Sequence, residues 1–293
     1  MKRVLITGAN GFIGKNLAEY LRLSYEVHTP NRQEFDLLDE QKVRNYLALN
    51  QFDVVIHTAT ENATVNGKQG ASVLNHNLLM YLHLERSAED YGQMISFGSG
   101  AEYDKLHYQP KMSEAYFGQH VPKDDYGLSK FLISQRIAHQ KNIKNLRLFG
   151  VYGAYEDWEI RFISNAISRA LFDLPIFIKQ NVTFDYLYVK DLCKITARFI
   201  EHQVEEQFFN VCTSTTYDIL TLAQKVREAT GKQVPIHVMK EGKGAEYSGD
   251  NQKLMSVLGP YSFTPIEEGI AELYAWYSEN QQVISREKLF QLR

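Results

Sequence analysis

The segment Thr7-Gly8-Ala9-Asn10-Gly11-Phe12-Ile13-Gly14 constrains this chain more than any other. It follows directly on an apolar run, Val4-Leu5-Ile6, and leads into Leu17, Tyr20 and Leu21, which recur at helical spacing. Strand, three glycines and helix in that order form the setting of a dinucleotide-binding turn. One glycine leaves the strand at positive φ. A second lets the backbone approach a pyrophosphate, and a third lets helix and strand pack closely. The helix N-terminus then offers free N–H groups and the positive end of its dipole. The spacing is G-x-x-G-x-x-G rather than G-x-G-x-x-G. Gly8, Asn10, Gly11, Phe12, Ile13 and Gly14 are the cofactor-binding candidates of this turn.

The chain goes on alternating. Residues 25–28, 53–56, 94–97 and 145–149 read as strands, and 77–88 and 126–138 as helices. This alternation predicts an α/β fold, a Rossmann-type doubly wound parallel sheet covered on both faces. After Val151 the pattern loosens. It predicts a helix over 160–172, a short strand over 175–178, a strand at Phe208–Val211, helices near 217–229 and 266–278, and a Gly-rich stretch at 242–249. No linker is visible, so the halves are expected to interleave. Residues 1–153 and 180–206 are assigned to the NAD(P)-binding domain, and 154–179 and 207–293 to a smaller C-terminal α/β substrate domain.

Composition excludes several classes. In 293 residues, 44% are apolar and 23% charged, as in ordinary globular proteins. The net charge of −3 provides no basic field for nucleic acid. No apolar run approaches the roughly 18 residues of a membrane span, and the run at Val4–Ile6 is too short for a signal-peptide core. Two cysteines, Cys193 and Cys212, make no disulfide framework, so a cytoplasmic location is expected. Nine His and two Cys form no H-E-x-x-H or C-x-x-C spacing, and no metal is expected.

Tyr126 and Lys130 stand at i and i+4 on one helix face. An ammonium near a phenol lowers its pKa from about 10 and suits it to trade a proton with a carbonyl or hydroxyl. Ser99 closes the strand Ser96-Phe97-Gly98-Ser99, at the sheet edge where open α/β folds bind ligands. The segment His28-Thr29-Pro30-Asn31-Arg32 lacks the acid that binds a ribose 2′-hydroxyl. Arg32 there favours a 2′-phosphate, hence NADP over NAD, unless it is a solvated surface Arg.

In this order the motifs resemble the extended short-chain dehydrogenase/reductases, the NAD-dependent epimerase/dehydratase family acting on nucleotide sugars. The resemblance covers nearly the whole chain. Within the family it is nearest the branch of GDP-L-fucose synthases and related 4-ketosugar reductases, notably over residues 32–39. It implies that Asp36 and Leu37 meet the adenine, that Thr58, Ala59 and Thr60 close the strand beside the cofactor, and that Asn77 is the family's helix Asn. It makes Tyr126 the general acid/base, Lys130 the holder of the nicotinamide ribose and Ser99 the partner of the sugar oxygen. His57, in the V-I-H strand end, reads as structural. A homodimer through helices 77–88 and 126–138 is implied by the same analogy.

The departures narrow the chemistry. Ser99-Gly100-Ala101 stands where 4,6-dehydratases carry Thr-Asp-Glu, which argues against dehydration. Ala101 and Arg161 replace the Cys and His that epimerise carbons beside the ketone, so epimerisation at C3 and C5 is not expected. Gly150 replaces an Asn, Ala154 a Pro and Phe184 an Arg, which leaves Arg161, Arg169 or Lys179 for phosphate recognition. Ser99, Gly100, Ala101, Gly150 and Arg161 are the substrate-side candidates, and Tyr103, Tyr116, Trp158 and Tyr186 are either core or pocket lining. The expected activity is NAD(P)H-dependent reduction of a 4-keto nucleotide sugar in deoxy- or modified-sugar biosynthesis. The alternatives are a 4-epimerase that retains NAD and a non-catalytic dinucleotide-binding regulator.

Overall fold

The computed structural model describes residues 1–61, 71–202 and 204–291. Its strands are β1 (Arg3–Thr7), β2 (Glu26–His28), β3 (Phe52–His57), β4 (Tyr91–Ser99), β5 (Ile143–Leu148), β6 (Gly150–Tyr152), β7 (Ile176–Tyr188), β8 (Phe208–Val211), β9 (Thr216–Asp218) and β10 (Ile236–Tyr247). Its longer helices are α1 (Phe12–Leu21), α2 (Glu40–Asn50), α3 (Ala71–Arg86), α4 (Asp125–Ile137), α5 (Phe162–Leu171), α6 (Val189–Glu201), α7 (Ile219–Thr230), α8 (Gln252–Leu258) and α9 (Ile266–Glu279).

Six parallel strands form the main sheet in the order β2-β1-β3-β4-β5-β8. Side chains of successive strand residues point to opposite faces. Val4, Ile6, Val54 and Ile56 therefore join one core with Leu17 of α1 and Ile195 of α6. Leu5 and Val55 join the other, with Val43 of α2, Tyr81 of α3 and Ile133 of α4. Both faces are covered, as the near-continuous apolar strands require. The strand order reverses between β1 and β3, and a ligand crevice of such a sheet opens at that point, beyond the strand C-termini.

A second sheet runs β10-β7-β6, with β9 antiparallel to β7. It packs on Ile163 and Ile167 of α5, Leu222 of α7 and Ile270 of α9. Two features differ from expectation. The strand expected over 175–178 extends for 13 residues, because β10 pairs with it as far as Tyr247 and Phe184. The Gly-rich stretch becomes the last part of β10, with register shifts after Lys240 and Lys243; a long-range partner overrides weak local strand propensity. Sheet membership also crosses the expected division. Phe208–Val211 pairs with β5 of the main sheet, whereas β6 and residues 180–188 of β7 belong to the second.

One buried polar cluster ties β4, β5 and α4 together. Arg147 Nε donates to Glu102 Oε2 at 2.5 Å, and both residues are almost wholly buried. Arg147 Nη2 donates to Ser134 Oγ of α4 at 2.8 Å, and Asn145 Nδ2 donates to Glu102 Oε1 at 3.2 Å. Ion pairs of this kind are costly to break, because one charge is left buried and alone. Glu102→Ala is expected to lower the unfolding free energy by about 3–5 kcal/mol, read as a drop in the urea midpoint.

Candidate active site

The glycine turn lies where the sheet opens. Gly8 has φ +69°, and a Cβ there would stand 2.7 Å from Ala59 Cα. A Cβ on Gly14 would stand 2.7 Å from Thr58 Oγ1, which donates to the Thr7 carbonyl at 2.6 Å. The start of α1 is thus seated directly on the ends of β1 and β3. Gly11 is its N-cap and is exposed, with no side-chain cap and no acid in the first turn among the described residues. Asn10 is exposed, Phe12 packs on the second core and Ile13 on the first. A hollow of about 260 Å³ adjoins the turn, bordered by Asn10, Lys15, Glu19, Arg22 and Thr29, two cations against one acid. An uncapped N-terminus, a closely seated loop and flanking cations fit a dinucleotide pyrophosphate.

The other cofactor-side candidates divide. Arg32 Nε lies 3.4 Å from Asp36 Oδ2, and the Arg side chain is 74% exposed, free to turn toward a ligand. Leu37 belongs to the core, and its carbonyl bonds His83 Nδ1 at 2.8 Å. Asn77 is buried with both ends of its amide occupied. Its Oδ1 accepts from Glu61 N at 2.7 Å, and its Nδ2 donates to the Glu61 carbonyl at 3.0 Å and to Ser129 Oγ at 3.2 Å. It fastens the chain after β3 to α4, beside Lys130, and Thr60 Oγ1 lies 3.3 Å from its Oδ1. His57 is buried against Thr7 Oγ1 at 2.9 Å, and burial lowers its pKa to about 3, so it stays neutral as a structural group.

Ser99, Tyr126 and Lys130 converge at the C-terminal edge of β4. Ser99 ends the strand and caps the short turn Gly100–Tyr103: its Oγ accepts from Ala101 N at 3.1 Å, and its N–H donates to Glu102 Oε1 at 3.0 Å. Asp124 caps α4 by accepting from Gly127 N at 3.0 Å, which starts the helix just before Tyr126. Lys130 is buried and its Nζ donates to the Phe97 carbonyl at 2.9 Å, 5.9 Å from the Tyr126 ring centre. Burial lowers its pKa to about 8, against the pull of Glu102.

The electrostatics of Tyr126 differ from the sequence expectation. Burial raises its pKa above the ordinary phenol value, while a hydrogen bond from Ser99 and the charge of Arg161 pull it down. Lys130 is not the main counterweight, because its ammonium is spent on a carbonyl of β4. Arg161 is exposed and forms the N-cap of α5.

The family model described as NAD dependent epimerase/dehydratase family matches residues 4–212. The chain belongs to this family. Members are NAD(P)-dependent nucleotide-sugar oxidoreductases and epimerases. The chain is 25% identical to GDP-6-deoxy-D-talose 4-dehydrogenase of Aggregatibacter actinomycetemcomitans, over 93% of this chain and 97% of that protein. Its fold matches UDP-glucose 4-epimerase of Thermotoga maritima, solved with UDP-glucose, at TM-score 0.82 and 21% identity, covering 95% of this chain and 99% of the other. It also matches GDP-mannoheptose C4 reductase of Campylobacter jejuni, solved with NADP, at TM-score 0.78 and 19% identity, covering 94% and 98%.

Aromatic rings gather around the residues that were expected on the substrate side. Phe184 lies 5.6 Å from Tyr186 and 5.8 Å from Tyr247, ring centre to ring centre. Gly150 pairs with Tyr186, and the Ala101 carbonyl faces Gly127 at the start of α4. Tyr103 and Trp158 are buried in cores, and Arg169 is buried with its guanidinium on the Pro175 and Leu289 carbonyls, so none of the three lines an open pocket. Two residues near Ser99 escaped the sequence reading. Glu102 was legible as a Ser-x-x-Glu capping box. Tyr247 had no local signal, since only the pairing of β10 brings it here. A cavity of about 820 Å³ lies at the C-terminal half of α4, lined by Glu114, Ser134, Gln135, His139, Arg147 and Lys253.

Beside Arg161, Glu156 is buried and bonded to Ser164 Oγ at 2.5 Å. Burial lifts its pKa from 4.5 to about 8, with Ser164 and Arg161 opposing. The folded chain keeps this proton where the unfolded chain has lost it. The contribution to stability is therefore full below pH 4.5 and is lost as pH rises to about 8. Glu156→Gln cannot ionise, so its stability relative to the parent should climb across that window in urea titrations at stepped pH.

Proposed function

We propose that this enzyme reduces the ketone of a 4-keto nucleotide sugar with NAD(P)H. The observation that carries the reading is the meeting of Ser99, at the end of β4, with Tyr126 and Lys130 on α4: the Ser99 hydroxyl pulls the Tyr126 pKa down against burial, and Lys130, 5.9 Å from the Tyr126 ring centre, donates to the Phe97 carbonyl at 2.9 Å. A nicotinamide dinucleotide held there supplies the hydride. Tyr126 gives its proton to the ketone oxygen as negative charge develops on it. Ser99 holds the same oxygen, and Lys130, anchored to Phe97, bonds the cofactor ribose. Gly8, Gly11 and the first N–H groups of α1 hold the pyrophosphate. The exposed Arg32, with Lys15 and Arg22 beside the turn, favours NADP.

Arg161 takes the role of phosphate ligand on the substrate side. It is exposed at the uncapped start of α5, and its charge reaches Tyr126, Tyr186 and Tyr247. The main sheet forms the cofactor unit and the second sheet with α5, α7 and α9 the substrate unit. Pairing of α3 and α4 with a second copy, making a homodimer, and a place in modified-sugar synthesis in the cytoplasm complete the reading. The 4-epimerase alternative draws on the likeness to UDP-glucose 4-epimerase. It uses the same three groups but keeps its NAD.

The deciding experiment follows NADPH and NADH oxidation with dTDP-, GDP-, CDP- and UDP-linked 4-ketosugars. Net oxidation supports reduction; purified protein carrying NAD that interconverts C4 epimers without net oxidation replaces it with the alternative. Tyr126→Phe is expected to lower kcat by about 100-fold or more while retaining NADPH binding. Full turnover in that variant removes the assignment. Arg161→Ala should raise KM for the sugar roughly tenfold with kcat little changed, measured by steady-state kinetics.

A further inference from the structure

Tyr155 joins the two units of the fold. It follows β6 and reaches back to α1, just beyond the glycine turn. Lys15 and Glu19 stand at i and i+4 on α1, where opposite charges are neighbours and attract. Among the described residues they make no ion pair with each other, because Tyr155 takes both. Its ring receives the Lys15 ammonium, 3.7 Å from the ring centre, and its hydroxyl donates to Glu19 Oε1 at 2.8 Å. The cation meets the negative face of the ring, and the carboxylate meets the phenol proton.

The backbone is held in an unfavourable form to achieve this. Tyr155 has φ +70°, a left-handed conformation that residues with a side chain rarely adopt. Asn16 of α1 donates from Nδ2 to the Ala154 carbonyl at 2.8 Å. The Tyr155 ring also meets Trp276 of α9 edge to face, 5.1 Å between centres. Strain of this kind persists where the surroundings over-determine it, and it gathers at binding sites. The site in question is the hollow beside the glycine turn, which Lys15 and Glu19 border together with Asn10, Arg22 and Thr29. Arg22 is tethered there, with Nη2 donating to Thr29 Oγ1 at 3.0 Å. A lysine paired with Glu19 would present a neutralised group to a phosphate. A lysine lying on an aromatic face keeps its whole charge.

We propose that Tyr155 is a positioning residue for the cofactor: it holds the Lys15 ammonium out of an ion pair with Glu19 and so leaves it to bind a phosphate of the dinucleotide. The loop after β6 thereby completes a site that otherwise belongs to β1, β2 and α1. The proposal rests on the reading that this chain binds a nicotinamide dinucleotide, and it is tested by binding alone.

Affinities for NADP+ and NAD+ are measured by isothermal titration calorimetry on the full chain without sugar. Lys15→Met should weaken NADP+ about tenfold. Tyr155→Leu should weaken it about fivefold, because Lys15 then turns to Glu19. Glu19→Gln removes that rival. It should restore most of the affinity of Tyr155→Leu while changing the parent by less than about twofold. A ring that only propped up its loop could not be replaced by a change on α1. Losses confined to NADP+ put the phosphate on the ribose 2′ oxygen, and equal losses with NAD+ put it in the pyrophosphate; both agree with the proposal. Parental affinity in Tyr155→Leu, or a loss that Glu19→Gln does not relieve, overturns it. A parent protein that binds neither dinucleotide overturns the functional reading and the proposal with it, whereas full turnover in Tyr126→Phe overturns the functional reading alone.

Discussion

The ion pair between Glu102 and Arg147 sets the geometry on which the site depends. Both charges are removed from water, and each is satisfied in several directions. The carboxylate also receives the Ser99 N–H on Oε1 while Oε2 answers the guanidinium, so the end of β4 is held to β5 through one carboxylate. The guanidinium reaches Ser134 of α4, the helix that carries Tyr126 and Lys130. A buried pair is weak evidence for added stability. What it supplies here is position: β4, which ends on Ser99, and α4, which carries Tyr126 and Lys130, are tied to β5 by one small polar cluster.

Around that cluster, the binding groups occupy the place where an open α/β sheet separates its strands. The turn of α1 sits at the β1/β3 reversal, Ser99 on β4 and the Tyr126 helix beyond it. The second sheet comes from a later part of the chain. Its contribution near Ser99 is aromatic, with one exposed guanidinium at the start of α5. Phenols that neighbour one another in such a place stay protonated, because burial disfavours every phenolate among them.

Most of the main sheet was legible because each strand is a short apolar run bounded by turn residues, and each covering helix repeats its apolar side at helical spacing. The turn at Gly8, Gly11 and Gly14 and the trio of Ser99, Tyr126 and Lys130 were legible for the same reason: their spacing is local. Leu37 and Asn77 were also read as cofactor-side residues; the Leu37 side chain packs in the core, and the Asn77 amide bonds Glu61 and Ser129. The length of β7 and the strand at Gly242 and Gly244 were not legible, since each is stabilised by the other across some sixty residues of chain.

The sequence by itself determined the glycine turn between β1 and α1, the alternation that makes a covered parallel sheet, and the order of Ser99, Tyr126 and Lys130, because backbone conformation and local amphipathic patterning are properties of neighbouring residues. Only the tertiary structure decided which way the Tyr126 pKa moves, that Glu102 and Arg147 meet out of water, and that Tyr247 lies against Gly100. Burial and through-space contact are made by residues far apart in the chain, and neither is written in any short stretch of it.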